Sequence, residues 1–149
     1  MDINPDGQKL DELFRTVAAQ MGTELAAFAQ SLRSGTPDAA AVRGAYDIAH
    51  RLHGAGTPYG YPAVTEMGAS LERIIEAVKD GALAVSPALS DLIEACAAAL
   101  RDLNAPDRAG QDCAARFSRL AWQCECVLHA PSSADSVADP PARTAPHCA

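Results

Sequence analysis

Residues 49–61 read Ala49-His50-Arg51-Leu52-His53-Gly54-Ala55-Gly56-Thr57-Pro58-Tyr59-Gly60-Tyr61. Together with the residues just upstream, this stretch decides the fold. Val42, Ala45, Ala49, Leu52 and Gly56 recur every three or four positions, the spacing of one buried face of an α-helix. On the same helix Arg43, Tyr46, Asp47, His50, His53, Gly54 and Thr57 fall on another stripe, polar and small, that belongs in solvent. Upstream, Thr36-Pro37-Asp38 supplies a cap, a proline for the first helical position and an acid for the positive end of the dipole. Downstream, Pro58, Gly60 and Pro62 break the helix.

The same periodicity recurs on both sides. A first helix is expected from about Gln8 to Leu32, with Leu10, Leu13, Phe14, Val17, Met21, Leu25, Phe28 and Leu32 on one apolar stripe ending at Ser34-Gly35. A third begins near Pro62 and carries Val64, Met67, Leu71, Ile74, Ile75 and Val78 to Asp80-Gly81. A fourth opens at Ser86-Pro87 and buries Leu89, Leu92, Ile93, Cys96, Leu100 and Leu103. A fifth runs from about Asp107 to His129 with Cys113, Phe117, Leu120, Cys124, Val127 and Leu128 on one face. Nothing alternates as a strand would. Short connections between long amphipathic helices give an all-α, antiparallel up-and-down four-helix bundle with an additional C-terminal helix. Residues 1–129 read as this one domain. Residues 130–149, with Pro131, Pro140, Pro141 and Pro146 and no apolar period, read as a disordered tail.

Composition narrows the function classes. Apolar residues make up 48% of the 149 and aromatics only 5%, so Ala-rich helix packing is favoured over other architectures. The net charge of −7 argues against nucleic acid and anionic membrane as partners, since both select a basic face. No apolar run is long enough to span a bilayer, and the acidic start MDINPDGQKLDELF lacks a signal-peptide pattern. A cytoplasmic location with reduced thiols is the expectation. Cys124, Cys126 and His129 do not read as a metal set, because Cys124 and Cys126 lie about 200° apart around a helix. No metal ligand set and no bound cofactor are expected. No glycine-rich phosphate loop or kinase motif is present, so the chain has no means of phosphorylating itself.

The exposed stripe carries the chemistry. His50 stands on it with His53 and Gly54 beside it. Glycine inside a helix costs about 1 kcal/mol relative to alanine, so Gly54 and Gly56 serve something other than helix stability. Bare backbone beside an exposed imidazole gives another protein's surface access to the ring.

The segment resembles the signature of histidine phosphotransfer (HPt) domains, His-x-Leu-Lys-Gly followed by small residues and an aromatic-Gly turn. Within that family it is most similar to the phosphotransfer domain of chemotaxis-type histidine kinases, whose pattern continues through Tyr59-Gly60-Tyr61 and whose Leu-Glu on the next helix matches Leu71-Glu72. The similarity takes in roughly residues 8–103. It implies that His50 is the phosphoacceptor, that Glu72 hydrogen-bonds the other ring nitrogen and that Gly54 opens the surface. Such a bond fixes the tautomer and leaves the free nitrogen a nucleophile.

Two positions depart from the pattern. His53 stands where the family has lysine; it supplies positive charge only when protonated, and Arg43 and Arg51 are the nearby cations that could compensate. Ala69 stands where the chemotaxis-type domain has a second histidine. The resemblance implies a carrier, not an enzyme in its own right, that exchanges phosphate with the aspartate of a receiver domain, which brings Mg²⁺. The partners implied are response-regulator receivers and a hybrid sensor kinase. The docking surface is expected to use Arg43, Tyr46, Asp47, Arg51, Thr57, Tyr61, Gly68 and Ala69. Two alternatives stand beside it: a helical module that binds a receiver without transferring phosphate, and an unrelated helical adaptor.

Overall fold

The computed structural model describes residues 5–35, 37–105 and 113–130. Five helices account for most of them: α1 (Pro5–Arg33), α2 (Ala39–Ala55), α3 (Pro62–Lys79), α4 (Pro87–Asp102) and α5 (Cys113–Leu128). Among the described residues there is no strand, and no helix is long and apolar enough to cross a membrane. Of the tail expected at 130–149, all but Ala130 lies outside the described residues, as does the start of the fifth helix near Asp107.

The helix starts follow local chemistry. The Ser86 hydroxyl accepts from the Leu89 amide at 3.1 Å, with Pro87 at the first helical position of α4. Pro62 likewise stands in the first turn of α3, where Tyr61 at the cap makes no side-chain cap bond. At α2 the cap is Asp38, whose carboxylate accepts from the Ala41 amide at 2.8 Å. The expectation of Thr36 as cap is therefore corrected by two residues. A carboxylate caps as well as a hydroxyl does and also complements the helix dipole.

The helix directions can be read from paired residues. Arg33 at the end of α1 bridges Asp91 and Glu94 at the start of α4 at 3.0 Å each, while Gly22 lies against Ala97 and Leu100. The two helices are therefore antiparallel. Between α2 and α3 the pairs are Thr57 with Thr65, His53 with Gly68 and His50 with Glu72, again antiparallel. The fifth helix runs along α3 in the same direction: Ser118 donates to Glu66, and Ser70 donates to Glu125 at 2.7 Å. It is antiparallel to α4, with Arg116 on Asp102 at 2.7 Å. The result is the expected all-helical bundle, with α5 laid over α3 and α4.

The core is one cluster. Leu25, Leu52, Met67, Leu71, Ile74, Ile75, Ile93, Leu100 and Phe117 are its largest sealed side chains. Leu10, Leu13 and Val17 depart from the expected stripe, being 50%, 53% and 36% exposed. Since Gly22 already meets the last turns of α4, the first turns of α1 run past that helix and, among the described residues, have no apolar partner on its side. Phe14 is buried there by a different contact, stacked between Tyr59 and Tyr61 at 5.0 and 4.9 Å.

A hydrogen bond to Cys124, together with burial, pushes the Cys96 thiol well above its ordinary pKa.

Candidate functional site

The site forms where α2 and α3 approach most closely. A Cβ on Gly68 would lie 2.6 Å from the backbone nitrogen of His53 and 2.9 Å from Leu52. A Cβ on Gly56 would lie 2.5 Å from Thr65 Oγ1. Only glycine permits this spacing at either end of the contact. Ala45, Ile48, Ala49 and Leu52 point inward from α2. His50, one turn before Gly54, and His53 point outward. One turn beyond Gly68 on α3, Glu72 therefore arrives opposite both imidazoles.

Glu72 is the centre of the arrangement. Its Oε2 lies 2.7 Å from His50 Nδ1, and its Oε1 lies 2.7 Å from His53 Nδ1. The Tyr46 hydroxyl donates a further hydrogen bond to the same carboxylate. The Glu72 side chain is 13% exposed, against 68% for His50 and 47% for His53. Burial pushes the Glu72 carboxyl up, but the hydrogen bonds from His50, His53 and Tyr46 outweigh it and hold the group below its ordinary pKa. The same bond, with some desolvation, raises the Tyr46 phenol.

An ionised carboxylate only accepts hydrogen bonds, so a neutral imidazole facing it carries its proton on Nδ1. The Nε2 lone pair is left as the free base. The Tyr46 ring lies nearly parallel to His50, with centroids 6.1 Å apart and planes at 11°. It borders the ring on the side of the preceding turn. On the following turn Gly54 is exposed, and a Cβ there would meet nothing within 4 Å. That space is open to an approaching partner.

The remaining residues named from the sequence divide into two groups. Arg43, Asp47, Arg51 and Thr57 are exposed on the His50 side of α2, and Ala69 is half-buried on α3. Thr57 also closes the end of α2, its amide donating to Thr65 Oγ1 at 2.7 Å. Gly68 and Tyr61 do not belong to an open docking surface. Gly68 is buried because the α2 backbone covers it. Tyr61 is half-buried, stacked on Phe14, and its hydroxyl donates to Asp11 at 2.5 Å; burial and that bond raise its pKa to about 12.

Two features were not read from the sequence. One is the Tyr46 bond to Glu72, for which the only signal was the four-residue spacing from Tyr46 to His50. The other is the sharing of one carboxylate by two imidazoles. One ligand atom from each of His50, His53 and Glu72 lies within 4.8 Å of the other two, and the three-residue spacing of the histidines was the available signal.

No curated protein and no solved structure matches the chain. A family model does match: that of the Hpt domain, over residues 8–103. The matched span begins within α1, ends just past α4 and contains His50, His53, Gly54 and Glu72. The chain belongs to the Hpt-domain family.

Proposed function

We propose that His50 is the phosphoacceptor of a phosphorelay carrier and that it exchanges the phosphoryl group with the aspartate of a receiver domain. Hpt domains serve histidine phosphotransfer and are phosphocarriers rather than kinases. The observation that carries the assignment to His50 is the 2.7 Å contact of its Nδ1 with Glu72 in a ring that is otherwise open to solvent.

In the forward step the Nε2 lone pair attacks phosphorus. The N–P bond forms as the P–O bond to the aspartyl oxygen breaks, and the aspartate leaves as a carboxylate. The imidazole then carries the positive charge of two substituted nitrogens, with its proton still on Nδ1. Glu72 stands against that proton and stabilises the charge as it develops. Reversal returns the phosphoryl group to an aspartate. The transition state is loose, with charge spread over the phosphoryl oxygens. The receiver and its Mg²⁺ meet that charge; this chain contributes the nucleophile and the docking face. Arg43, Tyr46, Asp47, Arg51, Thr57 and Ala69 surround His50 on that face, and Arg43 and Arg51 bring fixed positive charge. A hybrid sensor kinase upstream and a response regulator downstream complete the relay.

The test is incubation with a phosphorylated receiver. Acid-labile, base-stable label is expected on the wild-type chain and is lost in His50→Gln. Label that persists in the variant, or a wild-type chain that binds receivers and stays unlabelled, refutes the assignment.

A further inference from the structure

His53 is the residue that sets this site apart from the lysine of the pattern it resembles. Its presence changes the donor set as well as the charge. Two imidazoles on one helix face, three residues apart, now converge on one carboxylate from the neighbouring helix. We propose that His50, His53 and Glu72 form a binding site for a transition-metal dication of the Zn²⁺ class, and that the bound ion blocks His50 as a nucleophile.

The chemistry of the donors supports the first part. Two imidazole nitrogens and a carboxylate oxygen make a three-ligand set suited to Zn²⁺, with a fourth position left for water. Tetrahedral coordination places ligand atoms roughly 3.3 Å apart. Here one atom from each residue already lies within 4.8 Å of the others, and both Nδ1 atoms face Glu72 at 2.7 Å. The adjustment is one of side-chain rotation. The backbones are held in place by the glycine contact at Gly68, and the exposed rings leave an entry path. Lysine at position 53 would put a positive charge where the ion sits.

The second part follows from proton placement and rests on the function proposed above. A neutral imidazole has one N–H and one lone pair. When Nδ1 binds the ion, its N–H bond breaks and the proton is taken up, through solvent, at Nε2. The ring stays neutral, but Nε2 no longer has a lone pair to offer phosphorus. Coordination and phosphoryl acceptance are therefore mutually exclusive.

Zinc chloride is titrated into the full chain, wild type, His53→Lys and Glu72→Gln. Binding is followed by calorimetry and by the imidazole ¹⁵N resonances. The Nδ1 signals of His50 and His53 are expected to shift together at one equivalent. Affinity should fall in both variants by more than the roughly 10- to 100-fold that loss of an outer-shell partner costs. Unchanged Nδ1 signals, or equal affinity in wild type and His53→Lys, overturn the site. In a second arm, phosphoryl transfer from a receiver is measured with and without zinc, each protein against its own zinc-free rate. Slowing is expected in the wild type and not in His53→Lys; zinc bound at the Nδ1 atoms without slowing overturns the block. A wild-type chain that binds zinc but accepts no label even without it refutes the carrier function, while the metal site stands on the spectra.

Discussion

At the scale of single residues the site turns on Glu72. Its carboxylate receives hydrogen bonds from His50, His53 and Tyr46. Replacing it with alanine frees the His50 ring to rotate and to exchange tautomers and, on the function proposed above, removes the counter-charge of the phosphorylated ring. Transfer from a phosphorylated receiver should slow on the order of 10- to 100-fold in Glu72→Ala, the usual cost of losing a carboxylate that orients an imidazole; rapid-quench kinetics measures it.

The same bonds also make stability depend on pH. Glu72 is held below its ordinary value of 4.5 in the folded chain. Its contribution is thus fully present above that value and lost as pH falls through the lower, folded one. Chemical denaturation between pH 7 and 3 should show stability declining at the acid end, with a shallower decline in Glu72→Gln. The contact between His50 and Glu72 was legible from the motif, because both residues keep the pattern's spacing along the chain. The behaviour of His53 was not, since whether it bonds or bears charge depends on what faces it across the helix contact.

At the scale of elements, two glycines in opposite surroundings sit on neighbouring helices. Gly68 is a contact glycine: a methyl group there meets the His53 backbone at 2.6 Å. At Gly54 a methyl group meets nothing within 4 Å. Gly68→Ala should therefore push α3 from α2 and cost about 1–3 kcal/mol, as overpacking does, and separate Glu72 from the rings. Gly54→Ala should raise the stability of α2 by up to about 1 kcal/mol and, on the function proposed above, still slow transfer by putting a methyl group in the receiver's path. Thermal melts and transfer rates, measured together, separate the two. The sequence showed five amphipathic helices because a period of 3.6 is a local property. It did not separate Gly54 from Gly68, and it placed Gly68 and Tyr61 on an open face. Which helix covers a position is set by tertiary register, on which local pattern is silent.

At the scale of the whole molecule, α5 completes the bundle. Phe117 is sealed in the core, and Glu125 takes hydrogen bonds from Ser70 and Arg73 of α3. Burial pushes the Glu125 carboxyl up, but those bonds bring it below its ordinary range. Phe117→Ala should lower the unfolding free energy by about 3–5 kcal/mol, read by denaturant titration, although the residue lies outside the span matched to the family. The apolar face of α5 was visible in Cys113, Phe117, Leu120 and Cys124. Its course beside α3 was not, because a stripe states how much must be covered and not by which neighbour.

The α2 rod is packed along its inner side by Ala45, Ile48, Ala49 and Leu52 and is pinned to α3 at both Gly56 and Gly68. A partner therefore meets a finished template. Little of the encounter free energy is diverted into remodelling this chain; on the function proposed above, choosing among rival receivers then falls to the charges that ring the imidazole, and the speed of the exchange to how long each visitor lingers.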